Sequence, residues 1–160
     1  MTLHAIIIGE EAKKPLHYIQ QANIIKGKGI ENDRYFYAQG TFNKPQLSSE
    51  VREISLISYD ALAQCNQRIE ADLDFLDLRR NLVIKNMSKE LKKDTIFTIG
   101  TATFKIVRTA PPCRYLSRFL GVDIMSGLKY IGGLRATILV SGIISVNDKV
   151  EIFQPKYLKL

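Results

Sequence analysis

The stretch best suited to covalent or metal chemistry is Pro111-Pro112-Cys113-Arg114-Tyr115-Leu116-Ser117-Arg118. Neither proline can donate a ladder hydrogen bond, so a strand arriving here must end. Cys113 then falls at the first turn of a short helix that Gly121 closes. Leu116 and Leu120 lie one turn apart and can face a core, with Phe119 beside them. Arg114 and Arg118 repeat at the same interval on a neighbouring face. A thiol at a helix N-terminus beside guanidinium groups is favoured as thiolate, the form that attacks electrophiles and binds soft metals. The competing reading of Cys113 is a small buried hydrophobe, a common use of free cysteine. Local sequence leaves both open.

Two further clusters carry functional potential, each with an ordinary structural alternative. Arg79-Arg80-Asn81 opens the apolar run Leu82-Val83-Ile84. It reads either as a solvated strand end or as a fork of donors for a phosphate or a pterin edge. Gly132-Gly133, followed by Arg135, can bring consecutive backbone N–H groups close to an anion, or can simply turn the chain into the next strand. Gly27 and Gly29 do not make a P-loop, because no Gly-Lys-Ser/Thr follows at the required distance. Cys65 and Cys113, with His4 and His17, lack metal-site spacing, which disfavours zinc.

The chain has 160 residues and 18.2 kDa, enough for a single domain over residues 1–160 with a real core. Its formal charge of +7 and pI near 9.4 favour anionic partners. Nucleic acid is the reflexive inference, but the basic residues are scattered and not interleaved with aromatics, which argues against a strand-binding groove. No apolar run reaches membrane-spanning length, and the N-terminus lacks a basic signal-peptide region. A soluble, cytoplasmic protein without membrane partners is expected, and that setting argues against a Cys65–Cys113 disulfide.

The elements that must position these residues are mostly short strands. Residues 3–8 and 16–25 read as extended, separated by Pro15. Residues 26–35 form a loop, and 36–50 are polar and turn-rich. Val51 to Ile57 alternates like a half-buried strand. Ser58 can cap a helix bearing Ala61, Leu62, Cys65 and Ile69 on one face, which makes Cys65 a core residue. Residues 88–94 can make two helical turns with Ser88 as cap. Phe97, Ile99, Phe104 and Ile106 alternate across a turn at Gly100-Thr101, as in an antiparallel hairpin. A helical turn within 122–129, a strand from Ala136 to Val140 and a last strand from Val150 to Phe153 complete the chain. Seven to nine strands with two or three short helices, lacking regular βαβ alternation, predict a mainly β, barrel-like fold with antiparallel or mixed pairing.

Six segments, in order, resemble the MOSC domain, named for the C-terminal domain of molybdenum cofactor sulfurase. They are Gly29-Ile30-Glu31-Asn32-Asp33-Arg34-Tyr35, Arg79 to Val83, Phe97 to Gly100, Pro112-Cys113, Gly132 to Ala136, and Gly142 to Asp148. The resemblance spans about residues 29–153. It implies a β-barrel of the pyruvate-kinase type and a role in binding the molybdenum cofactor or carrying sulfur for it, or in reducing N-hydroxylated compounds. It further implies Cys113 as molybdenum ligand or persulfide carrier, with Arg80 and Asn81 in the pterin pocket and Asp33 and Arg34 at its edge. Arg114 adds positive charge beside the thiol, and Gly132, Gly133 and Arg135 would hold the phosphate side. Tyr130-Ile131 stands where relatives carry a basic or histidine pair, and Asn147-Asp148 replaces their Gly-Asp. A separate protein would supply sulfur or electrons. The alternative function, from a different class, is a non-catalytic module whose basic surface binds a nucleotide, nucleic acid or another anion.

Overall fold

Branched aliphatic residues alternating along short strands sort the interior into two layers. In the computed structural model, which describes residues 1–37 and 53–154, eleven strands and four short helices are present. An eight-stranded sheet has the order β11-β7-β8-β9-β5-β6-β1-β2. Its strands are β1 (Thr2–Ile8), β2 (His17–Ile19), β5 (Ile54–Ser58), β6 (Leu82–Lys85), β7 (Ile96–Ile99), β8 (Ala102–Thr109), β9 (Leu134–Val140) and β11 (Val150–Ile152). A three-stranded sheet orders β10 (Gly142–Ser145), β3 (Gln21–Ile25) and β4 (Gly29–Ile30) as β10-β3-β4. Pairing is antiparallel except between β5 and β6. Those two strands are joined by α1 (Tyr59–Ile69) and α2 (Phe75–Leu78), a crossover of the length that parallel strands require.

The large sheet curls. Near its far end, the start of β1 meets the approach to β11 through an isolated Thr2–Lys149 bridge. Backbone bonds from Leu3 to Asp148, Asn147 to Leu3 and Val150 to Met1, 2.8–3.0 Å long, reinforce it. The barrel-like expectation thus holds as curvature tied by a bridge; among the described residues no continuous ladder closes the sheet. Inside the curl, Leu3, Ile6, Leu56, Leu82, Phe97 and Phe104 belong to one apolar cluster. The opposite faces of the same strands, through Ala5, Ile7, Ile57 and Val83, pack on Ala61 and Cys65 of α1 and on Leu116, Ile124 and Leu128. Period-two alternation feeds both layers.

Several expectations hold in detail. Ser58 caps α1 by accepting from Asp60 N–H, and Cys65 is fully buried on its inner face. The hairpin β7–β8 pairs Phe97 with Phe104, whose rings stack 5.2 Å apart. Other details differ. There are more strands than seven to nine, because several have only two to four residues and carry little periodicity. There are four helices rather than two or three: α2 arises from a capping box between Asp74 and Asp77 that the acidic run conceals. β5 is buried on both faces rather than half-buried, because helices cover its outer side. Residues 88–94 form turns instead of a helix. Ser88 Oγ accepts from Glu90 N–H, and Thr95 Oγ1 accepts from Lys92 N–H while donating to the Glu90 carbonyl. These side chains offer the backbone a local alternative, and only Leu91 is buried to anchor a helical face. The polar loop expected at 36–50 falls, beyond Tyr37, outside the described residues, as do residues 51 and 52.

Candidate functional site: a basic cleft around Cys113

β8 runs out at Thr109, and Ala110 to Pro112 carries the chain across to α3 (Arg114–Leu120). Cys113 is the N-cap, in extended conformation, and its Sγ accepts from Leu116 N–H at 3.4 Å. Gly121 ends the helix at φ 69°, the left-handed geometry that glycine adopts freely. Cys113 is a free, partly exposed thiol.

What holds Pro112-Cys113 in place is Arg80. Its side chain lies under the crossing segment, with Nε donating to the Gly132 carbonyl at 2.8 Å and Nη2 to the Ala110 and Pro111 carbonyls at 3.0 and 3.4 Å. Ala110 N–H in turn donates to the Gly133 carbonyl at 2.8 Å. The glycine pair is needed for this closeness. A Cβ on Gly132 would sit 2.5 Å from the Ala110 carbonyl oxygen, and one on Gly133, at φ 101°, would sit 2.1 Å from that of Leu56. Their conformations therefore serve close backbone packing.

Arg80 and Arg135 are both buried, at 8% and 6% exposure. Burial, then repulsion from Arg135, pushes the Arg80 guanidinium down to about 9, with the Cys113 thiol and the Tyr35 phenol partly offsetting this. Burial also lowers Arg135, and the Tyr35 phenol, whose side chain is hydrogen-bonded to it, opposes that fall. Arg34 stacks over the Tyr35 ring at 4.7 Å and pairs with Asp33 at 3.0 Å.

These side chains converge. Lys13, Arg34, Tyr35, Arg79, Arg80, Cys113, Tyr115 and Arg135, with Leu78 and Leu116, line one cleft of about 50 Å³. Among the described residues, five of its lining groups are cationic and none is a carboxylate. Arg79 and Lys13 form its rim: Arg79 donates to the Lys14 carbonyl, and Lys13 lies over the Tyr115 ring. A second, larger and mainly apolar cavity of about 530 Å³ adjoins the same crossing segment, lined by Thr109 to Pro112, Ile131, Gly133 and Leu134 among others.

Of the residues singled out in the sequence, Cys113, Arg34, Arg79, Arg80 and Arg135 meet in the cleft. Asp33, Asn81, Arg114, Gly132 and Gly133 do not line it. Asp33 is buried behind it, its Oδ1 accepting from Gly9 N–H and Arg34, its Oδ2 from Tyr35 N–H. Asn81 staples three strands: its Oδ1 accepts from the Ser55 N–H and hydroxyl, and its Nδ2 donates to the Ile7 carbonyl. Arg114 is exposed at the start of α3. Sequence reasoning gave no site role to Lys13, Tyr35 or Tyr115. Tyr35 stood within the Asp33-Arg34 segment, whereas Lys13 carried no usable signal, since only the turn after β1 brings it to the cleft.

Fold and site together define a class of small, curled, mainly β domains with a thiol in a cationic cleft. The particular family follows from comparison: the MOSC domain matches residues 43–151, and the chain belongs to that family. The family is associated with molybdenum cofactor sulfurase-type function. Among solved structures, the YuaD protein of Bacillus subtilis is similar at TM-score 0.79 and 15% identity, covering 96% of this chain and 98% of that one. YiiM of Geobacillus stearothermophilus (TM-score 0.67, 12% identity, 95% and 75% coverage) and YiiM of Escherichia coli (0.64, 15%, 97% and 71%) share the fold. No curated protein matches the chain. No helix among the described residues is long and apolar enough to cross a membrane.

Proposed function

We propose that the protein handles the anionic end of the molybdenum cofactor, or sulfur destined for it, with Cys113 as thiolate ligand or persulfide carrier. The observation that carries this reading is the convergence of one thiol and five cationic side chains in a single cleft, with no carboxylate among its described lining residues. The donor set fits such a group in charge and in softness, because thiolate sulfur suits a sulfur-rich metal centre. Its size fits only an anionic end, since about 50 Å³ accommodates a few heavy atoms rather than a whole pterin.

When bound, the cofactor supplies a redox-active metal with its sulfur ligands. The chain's own part is to bind and orient. Arg34, Arg80 and Arg135 hold negative charge at the floor of the cleft, and Lys13 and Arg79 attract it at the rim. Arg80, by fixing the Ala110 and Gly132 carbonyls, keeps the Cys113 sulfur at the wall. A separate donor protein brings sulfur or electrons.

Metal and pterin analysis of protein purified from a host that makes the cofactor, together with persulfide mass spectrometry, tests this. Wild type should carry the cofactor or a persulfide, and Cys113→Ser should lose it. Equal contents in both proteins, or neither species in wild type, would refute the proposal.

A further inference from the structure

Two buried guanidinium groups, Arg80 and Arg135, stand beside the Cys113 thiol in one cleft, and Arg135 repels Arg80. Arg80 and Arg135 are both more than nine-tenths buried, and the charge of each is disfavoured first by that burial and then by cationic neighbours. The Asp33 carboxylate behind the cleft has both oxygens occupied by Gly9, Arg34 and Tyr35. Arg80 spends Nε and Nη2 on carbonyls, while among the described residues its Nη1 has no recorded hydrogen-bond partner. A small dianion would give Arg80 Nη1 an acceptor and offset the repulsion that Arg80 feels from Arg135.

Volume selects the ligand further. A water needs roughly 10–15 Å³ of such space, so about 50 Å³ holds on the order of four water-sized groups. That is the scale of a tetrahedral oxyanion. Because Cys113 shares the wall with the arginines, an anion seated there lies beside a sulfur nucleophile. An inert oxyanion would make no use of that thiol, whereas one carrying a transferable sulfur would.

From the shared cleft of Cys113, Arg80 and Arg135, we infer that it binds thiosulfate-type donors, small dianions with sulfane sulfur on a sulfonate, and takes sulfur from them directly. The inference rests on the persulfide-carrier reading above. Cys113, as thiolate with its proton released to water, attacks the outer sulfur of thiosulfate. A new S–S bond forms at Cys113, the sulfur–sulfonate bond breaks, and its electron pair leaves with sulfite. The products are the Cys113 persulfide and one sulfite, with no external oxidant or reductant. The arginines hold the sulfonate throughout and stabilise the charge that collects on departing sulfite.

The experiment incubates reduced full-length protein with thiosulfate and follows sulfite release and the mass of the Cys113 peptide, with inorganic polysulfide as a parallel donor. Expected are a gain of one sulfur at Cys113, about one sulfite per chain, none of either in Cys113→Ser, and slowing by excess sulfate. Lys13→Gln combined with Arg79→Gln should reduce the rate at low thiosulfate by about ten-fold or more, as loss of charge-assisted contacts predicts. An unchanged rate in that variant would overturn the assignment of the cationic cleft. Labelling of Cys113 by polysulfide but not thiosulfate would overturn the donor assignment and leave the carrier reading standing. Labelling by neither would overturn both.

Discussion

Replacing Arg80 with methionine removes the side chain that joins the Pro-Pro-Cys segment to the glycine turn. Two of its acceptors, the Ala110 and Gly132 carbonyls, have no other recorded donor among the described residues. Each orphaned buried carbonyl costs about 1–3 kcal/mol. Removing the buried charge returns part of that, since Arg80 is held in a low-dielectric site against Arg135. The net expectation is a loss of about 3 kcal/mol, equivalent to about 6–12 °C in Tm for a domain of this size. Arg80→Lys keeps the charge but loses the planar fork, and should fall about midway. Urea denaturation with an unchanged m-value gives the energy, and native-state alkylation gives the second readout. With the Ala110–Pro112 crossing released, Cys113 should react with a thiol probe several-fold faster. A loss below about 1 kcal/mol, or an unchanged alkylation rate in folded Arg80→Met, would refute the view that Arg80 fixes the position of the thiol.

Three other outcomes follow from the same geometry. Gly133→Ala should be severely destabilising, by about 3 kcal/mol or more, because a Cβ would collide with the Leu56 carbonyl at 2.1 Å where φ is already 101°; a variant with near-native melting would contradict this packing. Native protein should expose one alkylatable thiol and denatured protein two, since burial encloses Cys65 and raises its thiol while Cys113 is partly open; two fast thiols in the native state would be inconsistent with the core assignment. Sulfate affinity, followed by calorimetry, should hold near neutral pH and fall as pH rises through about 9. The sign follows because Arg80 attracts the anion only while protonated, and burial beside Arg135 holds its folded value well below that of a free guanidinium; affinity flat to pH 10 would separate Arg80 from the anion site.

Local pattern alone was enough to read the family, the hairpin, the capped helix and the buried Cys65. Phe97, Ile99, Phe104 and Ile106 encode their pairing within a dozen residues, and Ser58 encodes its helix start within three. The thiol before a short helix was equally legible, because prolines and Gly121 act where they stand. Which polar residues would meet was not. Arg80 and Asn81 are neighbours in sequence, yet one reaches the cleft and the other staples β5, β6 and β1. The glycine pair, two signals for an anion by type, is occupied by backbone packing against Ala110 and Leu56. Side-chain type and spacing determined the elements and the chemistry on offer. Tertiary structure decided the assignment of roles, because a hydrogen-bonding group spent on a distant strand is no longer available to a ligand, and that partner is set by how the sheet curls.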